Sequence, residues 1–80
     1  MQYTVYVLQD ADGKQYKGLT KDLGRRLQEH RSGGTITTRK MRVLEVVYTE
    51  ECDSFAEARK RELYFKSAAG RRFLKQKMGL

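Results

Sequence analysis

The most constraining feature of this chain is a hairpin written into its first twenty residues. Residues Tyr3 to Gln9 alternate, with Tyr3, Val5 and Val7 on one face and Thr4, Tyr6 and Leu8 on the other; the β-branched and aromatic content makes them a strand. Both faces are largely apolar, which places the strand in the middle of a sheet. Asp10-Ala11-Asp12-Gly13 is a turn, with Asp at its first position and Gly where a positive φ costs little, and a second strand follows from Lys14 to Leu19. The loop length decides which side chains share a face. With Ala11-Asp12-Gly13 as a three-residue loop and Gly13 left-handed, Asp10 pairs with Lys14, Leu8 with Tyr16 and Tyr6 with Gly18, so the two tyrosines face the same way. A two-residue loop at Asp12-Gly13 would put them on opposite faces. The three-residue loop is favoured. It sets Gly18 beside the Tyr6 ring and leaves open space there for backbone or a ligand.

Beyond the hairpin the period changes from two to 3.6. Thr20 is the expected N-cap of a helix over about 21–31, with Asp22 in its first turn and Gly33-Gly34 at its end. Leu23 and Leu27 form its apolar stripe, and Arg26 and His30, also four apart, lie next to it at the junction of helix and sheet. Arg25 points elsewhere. Thr35-Ile36-Thr37-Thr38-Arg39-Lys40 reads either as an extended connection or as one helical turn. A third strand is expected over about 43–49, bounded by Glu50-Glu51. Ser54 and Glu57 make a capping box for a second helix over about 54–69, stopped by Gly70. Its apolar face holds Phe55, Ala58, Phe65 and Ala69, and Glu62 falls in the middle of that face, where a carboxylate needs an explanation. A short, strongly basic helix over about 71–78, anchored by Phe73 and Leu74, completes the chain. The expected class is therefore α+β: a small three-stranded antiparallel sheet flanked by three helices, in one domain over residues 1–80.

Composition narrows what such a domain does. Eighty residues build one small core, and a single cysteine, Cys52, rules out both an internal disulfide and a cysteine-based zinc site. The formal net charge of +7 points to a polyanionic partner, nucleic acid first. No apolar run approaches the length of a membrane span, and no signal-like segment opens the chain, so a cytoplasmic protein without membrane association is expected.

Thr4-Val5-Tyr6, Tyr16-Lys17-Gly18, Thr20, Asp22-Leu23, Arg25-Arg26-Leu27, His30, Arg39-Lys40, Val46-Val47-Tyr48, Ala58, Glu62 and Lys66, in that order and spacing, resemble the GIY-YIG nuclease family, and most of all its small stand-alone bacterial members. The resemblance implies a metal-dependent endonuclease that hydrolyses DNA, duplex, branched or damaged, with a structure-specific or repair-related role. Tyr6, Tyr16, Arg26, His30 and Glu62 match the family's active-site positions, with Glu62 as the carboxylate for Mg²⁺ or Mn²⁺. Lys17, Lys21, Arg25, Arg39, Lys40 and Lys66 are the candidate DNA contacts.

The chemistry suits these residue types. Phosphodiester hydrolysis needs a water, a base to take its proton and positive charge on the phosphate oxygens. Arg26 forks onto two oxygens and keeps its charge, and a hard cation is held by one or two carboxylates with water and phosphate completing its shell. The base is open between Tyr16 or Tyr6, which the resemblance favours, and His30, whose unperturbed pKa of about 6.5 suits the task without help. Three departures stand out: Thr4 where the first motif has glycine, Lys17 where the second has isoleucine, and Leu19 where some members carry a lysine, a loss for which Lys17 or Lys21 could compensate.

Each residue also has an ordinary structural role open to it. The tyrosines suit a strand interior, Arg26 a solvated helix face and His30 a helix end, while Glu62 can pair with Arg59 or Lys66. The competing functional readings are a nucleic-acid-binding module without catalysis and, with only generic support, a protein-docking domain using Tyr48 or Phe73. Oligomeric state is not encoded in any of these features.

Overall fold

A computed structural model describes residues 2–33 and 43–78. The elements run β1 (Tyr3–Gln9), β2 (Gln15–Thr20), α1 (Leu23–Arg31), β3 (Glu45–Cys52), α2 (Phe55–Lys66) and α3 (Ala68–Lys77). The strands form one antiparallel sheet in the order β2-β1-β3, with the doubly apolar β1 in the centre. The α+β class is as expected. So is the hairpin register: Gly13 has φ +86°, Leu8 pairs with Tyr16 and Tyr6 with Gly18. Asp10 ties the loop, its carboxylate accepting from the N–H groups of Asp12 and Lys14 at 3.0 and 2.8 Å.

The sheet separates two apolar clusters. Val5, Val7, Cys52, Ala58, Phe65 and Leu74 are buried between the sheet and α2–α3, with Tyr48, Tyr64 and Phe73 packed against them. Tyr6, Leu8 and Leu44 are buried on the opposite face, where Leu23 and Leu27 of α1 close over them. Between Val7 and Leu8 the pairing with β3 shifts, Val7 facing Tyr48 and Leu8 facing Val46. That bulge leaves Val47 unpaired and lets Val47 and Tyr48, neighbours in sequence, both pack toward α2–α3. Tyr48 and Phe73 are thus spent on packing, with ring centroids 5.9 Å apart, which removes the basis for the protein-docking reading.

Several boundaries differ from expectation for local reasons. The N-cap of α1 is Asp22, whose carboxylate accepts from Arg25 N–H at 3.1 Å; Thr20 ends β2 and uses its hydroxyl to hold Asp22 N–H. The third strand begins at Glu45 because Val43, in the left-handed region at φ +54°, cannot continue a strand. It runs through Glu50-Glu51 to Cys52, since Glu50 finds partners in Arg61 and Tyr48. The second helix stops at Lys66, not at residue 69. Ser67, extended at φ −82° and ψ 166°, ends α2 and caps α3 by accepting from Gly70 N–H at 3.1 Å. Gly70 therefore lies inside α3. A Cβ there would sit 1.8 Å from the Tyr64 carbonyl oxygen, so the glycine marks a helix-to-helix contact rather than a helix end.

Candidate active site

The tyrosine face of the hairpin and the inner face of α1 assemble four of the five expected residues. Tyr6 and Tyr16 lie diagonally across β1 and β2 with ring centroids 6.2 Å apart, as the three-residue loop requires. His30, in the last turn of α1, is 2% exposed; its ring sits edge-on to Tyr16 at 4.8 Å and its Nε2 lies 2.9 Å from the Tyr6 hydroxyl. One turn earlier, Arg26 binds Glu29 at 2.9 Å and lies against both phenols. The open space expected at Gly18 is filled instead: a Cβ there would meet the Tyr6 hydroxyl at 2.6 Å and the Tyr16 ring at 3.1 Å. Glycine is needed so that the Tyr6 phenol can lie flat on β2.

These surroundings separate the titrating groups. Tyr6, 1% exposed, has its pKa raised, chiefly by burial, with the charges of Tyr16 and Glu62 adding to the effect and Arg26 opposing it. His30 is shifted down, first by burial and then by the Arg26 charge. Both therefore stay neutral near pH 7. Arg26 is held still more firmly protonated by Glu29 and then by the Tyr6 hydroxyl.

Glu62 approaches from the other side of the edge strand. It is 8% exposed on α2 between the buried Ala58 and Phe65, and its charge reaches Tyr6. Arg59 holds its Oε1, and Lys66 Nζ lies 3.5 Å from Oε2, so both pairings open to it in the sequence are made together. Among the described residues no group of three His, Cys, Asp or Glu gathers.

Tyr16 opens onto a shallow cleft of about 540 Å³ lined by Gln15, Tyr16, Lys17, Lys66 and Arg71. Two of the expected DNA contacts, Lys17 and Lys66, meet there. Lys21 does not; it lies at the far end of β2 over the Tyr3 ring, 5.4 Å from its centroid. Arg25 is on the solvent side of α1, paired with Glu29 at 3.5 Å. Arg39 and Lys40 fall outside the described residues. Arg71 was not singled out in the sequence, because a helix continuing to residue 69 hides the break at Ser67 that brings the start of α3 beside Lys66.

On this small α+β domain a basic cleft lies beside the cluster of Tyr6, Tyr16, His30 and Arg26. Comparison with known families gives its class. The profile described as the GIY-YIG catalytic domain matches residues 2–77, and the chain belongs to the GIY-YIG family, a family of nucleases acting on nucleic acid. It is 44% identical over 64 residues to UPF0213 protein DP2720 of Desulfotalea psychrophila, a match covering 78% of this chain and 58% of that one. It is 35% identical over 72 residues to UPF0213 protein SSP2268 of Staphylococcus saprophyticus, covering 89% and 88%. The solution NMR structure of UPF0213 protein BH0048 from Bacillus halodurans superposes with a TM-score of 0.59 at 34% identity, over 95% of this chain and 84% of that one.

Proposed function

We propose that this domain is a metal-dependent endonuclease that hydrolyses DNA phosphodiester bonds. The observation that carries the reading is that Tyr16, whose ring packs against the buried Tyr6 and His30, is itself only half-buried and borders a cleft lined by Lys17, Lys66 and Arg71. Tyr16 takes the role of base, accepting the proton of the attacking water. Tyr6 and His30 are positioning residues: each is buried and engaged by the other, and together they fix the Tyr16 ring and the Arg26 guanidinium. Arg26 supplies fixed positive charge for the crowded phosphate oxygens. Glu62 would hold Mg²⁺ or Mn²⁺, a hard cation that takes one or two carboxylates and keeps water and phosphate as its other ligands. Such a cation, when bound, would supply Lewis acidity at the phosphate and to the water.

Branched and damaged duplexes belong among the substrates, because a basic cleft reads phosphates and shape rather than base edges. A DNA substrate is in keeping with a cytoplasmic location; among the described residues no helix is long and apolar enough to cross a membrane. One observation favours a second reading, binding without cleavage: both oxygens of Glu62 are already paired, as in a purely structural carboxylate. The test is incubation with linear, nicked, branched and single-stranded DNA in Mg²⁺ or Mn²⁺, beside a Glu62→Ala control. Cleavage that disappears in the control supports the enzyme. Tight metal-independent binding with no cleavage of any substrate supports the second reading.

A further inference from the structure

Lys17, Lys66 and Arg71 come from β2, α2 and α3, three elements distant in sequence, and converge on one cleft. Among the described residues neither Lys17 nor Arg71 has a carboxylate partner, and Lys66 has only Glu62, at 3.5 Å and shared with Arg59. Folding therefore brings three like charges together and leaves them under-neutralised. The cost is visible at Lys17, whose pKa is lowered by burial first and then by Arg71 and Lys66. The backbone sets the juxtaposition: the close contact of Gly70 with the Tyr64 carbonyl fixes where α3 starts, and so places Arg71 at the cleft beside Lys66 and Lys17.

We propose that Lys17, Lys66 and Arg71 form a seat for a backbone phosphate next to the scissile one, with Arg71 as its specificity-determining member. This rests on the nuclease reading for the name of its ligand, a nucleic-acid phosphodiester, but not for its capacity to bind an anion. Arginine adds two donors that match phosphate geometry where the two lysines add point charges. The seat also accounts for Leu19, which packs into the α2–α3 cluster: the positive charge absent at that position is supplied on the same face from α2 and α3. A substrate gripped at two phosphates is positioned along the cleft, so the seat governs where the chain is cut as well as how tightly it is held.

The experiment uses Arg71→Ala, the charge-preserving Arg71→Lys, and Arg72→Ala, which removes the same charge from the exposed neighbour outside the cleft. Inorganic phosphate is titrated into each protein while backbone amide and arginine Nε resonances are followed, and binding of a DNA duplex is then measured across a salt series. The expected result is saturable shifts at Lys17, Lys66 and Arg71 in the parent, lost in Arg71→Ala and kept in Arg72→Ala. The salt slope of DNA binding should fall by about one in Arg71→Ala. Arg71→Lys should restore the slope but bind phosphate more weakly than the parent. Equal behaviour of Arg71→Ala and Arg72→Ala, or phosphate shifts centred on Lys21 and Arg25, would overturn the proposal. Failure of the nuclease reading looks different: the seat binds phosphate as described and no DNA is cut.

Discussion

The two faces of the sheet carry the same three residue types and use them in opposite ways. On the α2–α3 face, Arg61 forks onto Glu50 at 2.6 and 3.0 Å and Tyr48 donates its hydroxyl to the same carboxylate at 2.8 Å. The guanidinium there also covers the rings of Tyr64, Phe65 and Phe73 at 4.7, 4.9 and 5.4 Å. This set closes on itself. Its tyrosine is pushed up to about 12 by burial and by Glu50, and so stays a hydrogen-bond donor at any ordinary pH. On the α1 face, Arg26 takes Glu29 with NH1 alone, the Tyr6 hydroxyl shares one hydrogen bond with His30, and Tyr16, only half-buried, borders the cleft. Composition does not distinguish a structural Glu–Arg–Tyr set from a working one. What differs is whether the polar groups are all consumed by one another.

The sharpest way to break the comparison is through its two close-contact glycines. Gly70→Ala drives a Cβ into backbone at 1.8 Å, which no side-chain motion relieves, and should cost about 3 kcal/mol or more in urea unfolding. Gly18→Ala meets side chains rather than backbone, the Tyr6 phenol at 2.6 Å and the Tyr16 ring at 3.1 Å; the rings shift, unfolding changes by about 1–2 kcal/mol, and cleavage falls far more than stability. Next come the arginines. Arg26→Lys should lower the cleavage rate by about 10²–10³-fold with the fold intact. Arg61→Lys should leave the rate near parental and cost about 1–2 kcal/mol, from the lost fork and ring stacking.

The smallest effect is on pH. His30 has a folded pKa below its unfolded value of about 6.5, so as pH falls through that range the unfolded chain takes up the proton first and stability declines; above it the contribution is complete. His30→Gln should flatten that part of a stability-against-pH profile. A slope unchanged in His30→Gln would mean that burial against Tyr6 and Tyr16 does not set the protonation of this imidazole.

Most of the candidate site was legible because it is built from short periods. Alternation plus a left-handed Gly13 placed Tyr6, Tyr16 and Gly18 on one face, and a spacing of four placed Arg26 with His30. Glu62 stood out as a carboxylate on an apolar helix face. The missing parts are those where tertiary contacts overrule local signals. Gly70 reads as a stop in sequence, yet close packing on Tyr64 makes it a mid-helix residue and moves the break to Ser67. Thr20 and Asp22 are both good caps, and the length of β2 chose between them. Arg71 followed from the displaced break, and the filling of the space over Gly18 needed the ring position of Tyr6. The whole of the closed set, Glu50 with Arg61 and Tyr48, depends on a strand that ends three residues later than its alternation predicts.

The claim that one tyrosine works while its counterpart only holds the fold is tested most directly by Tyr16→Phe beside Tyr48→Phe, each assayed for DNA cleavage in Mn²⁺ and for unfolding in urea. The account predicts a rate loss of about 10²–10⁴-fold in Tyr16→Phe, with stability within about 0.5 kcal/mol of the parent. For Tyr48→Phe it predicts a near-parental rate and about 1 kcal/mol lost from the hydroxyl's bond to Glu50. Equal rates in the two variants, or a rate in Tyr16→Phe that simply follows its stability, would contradict it.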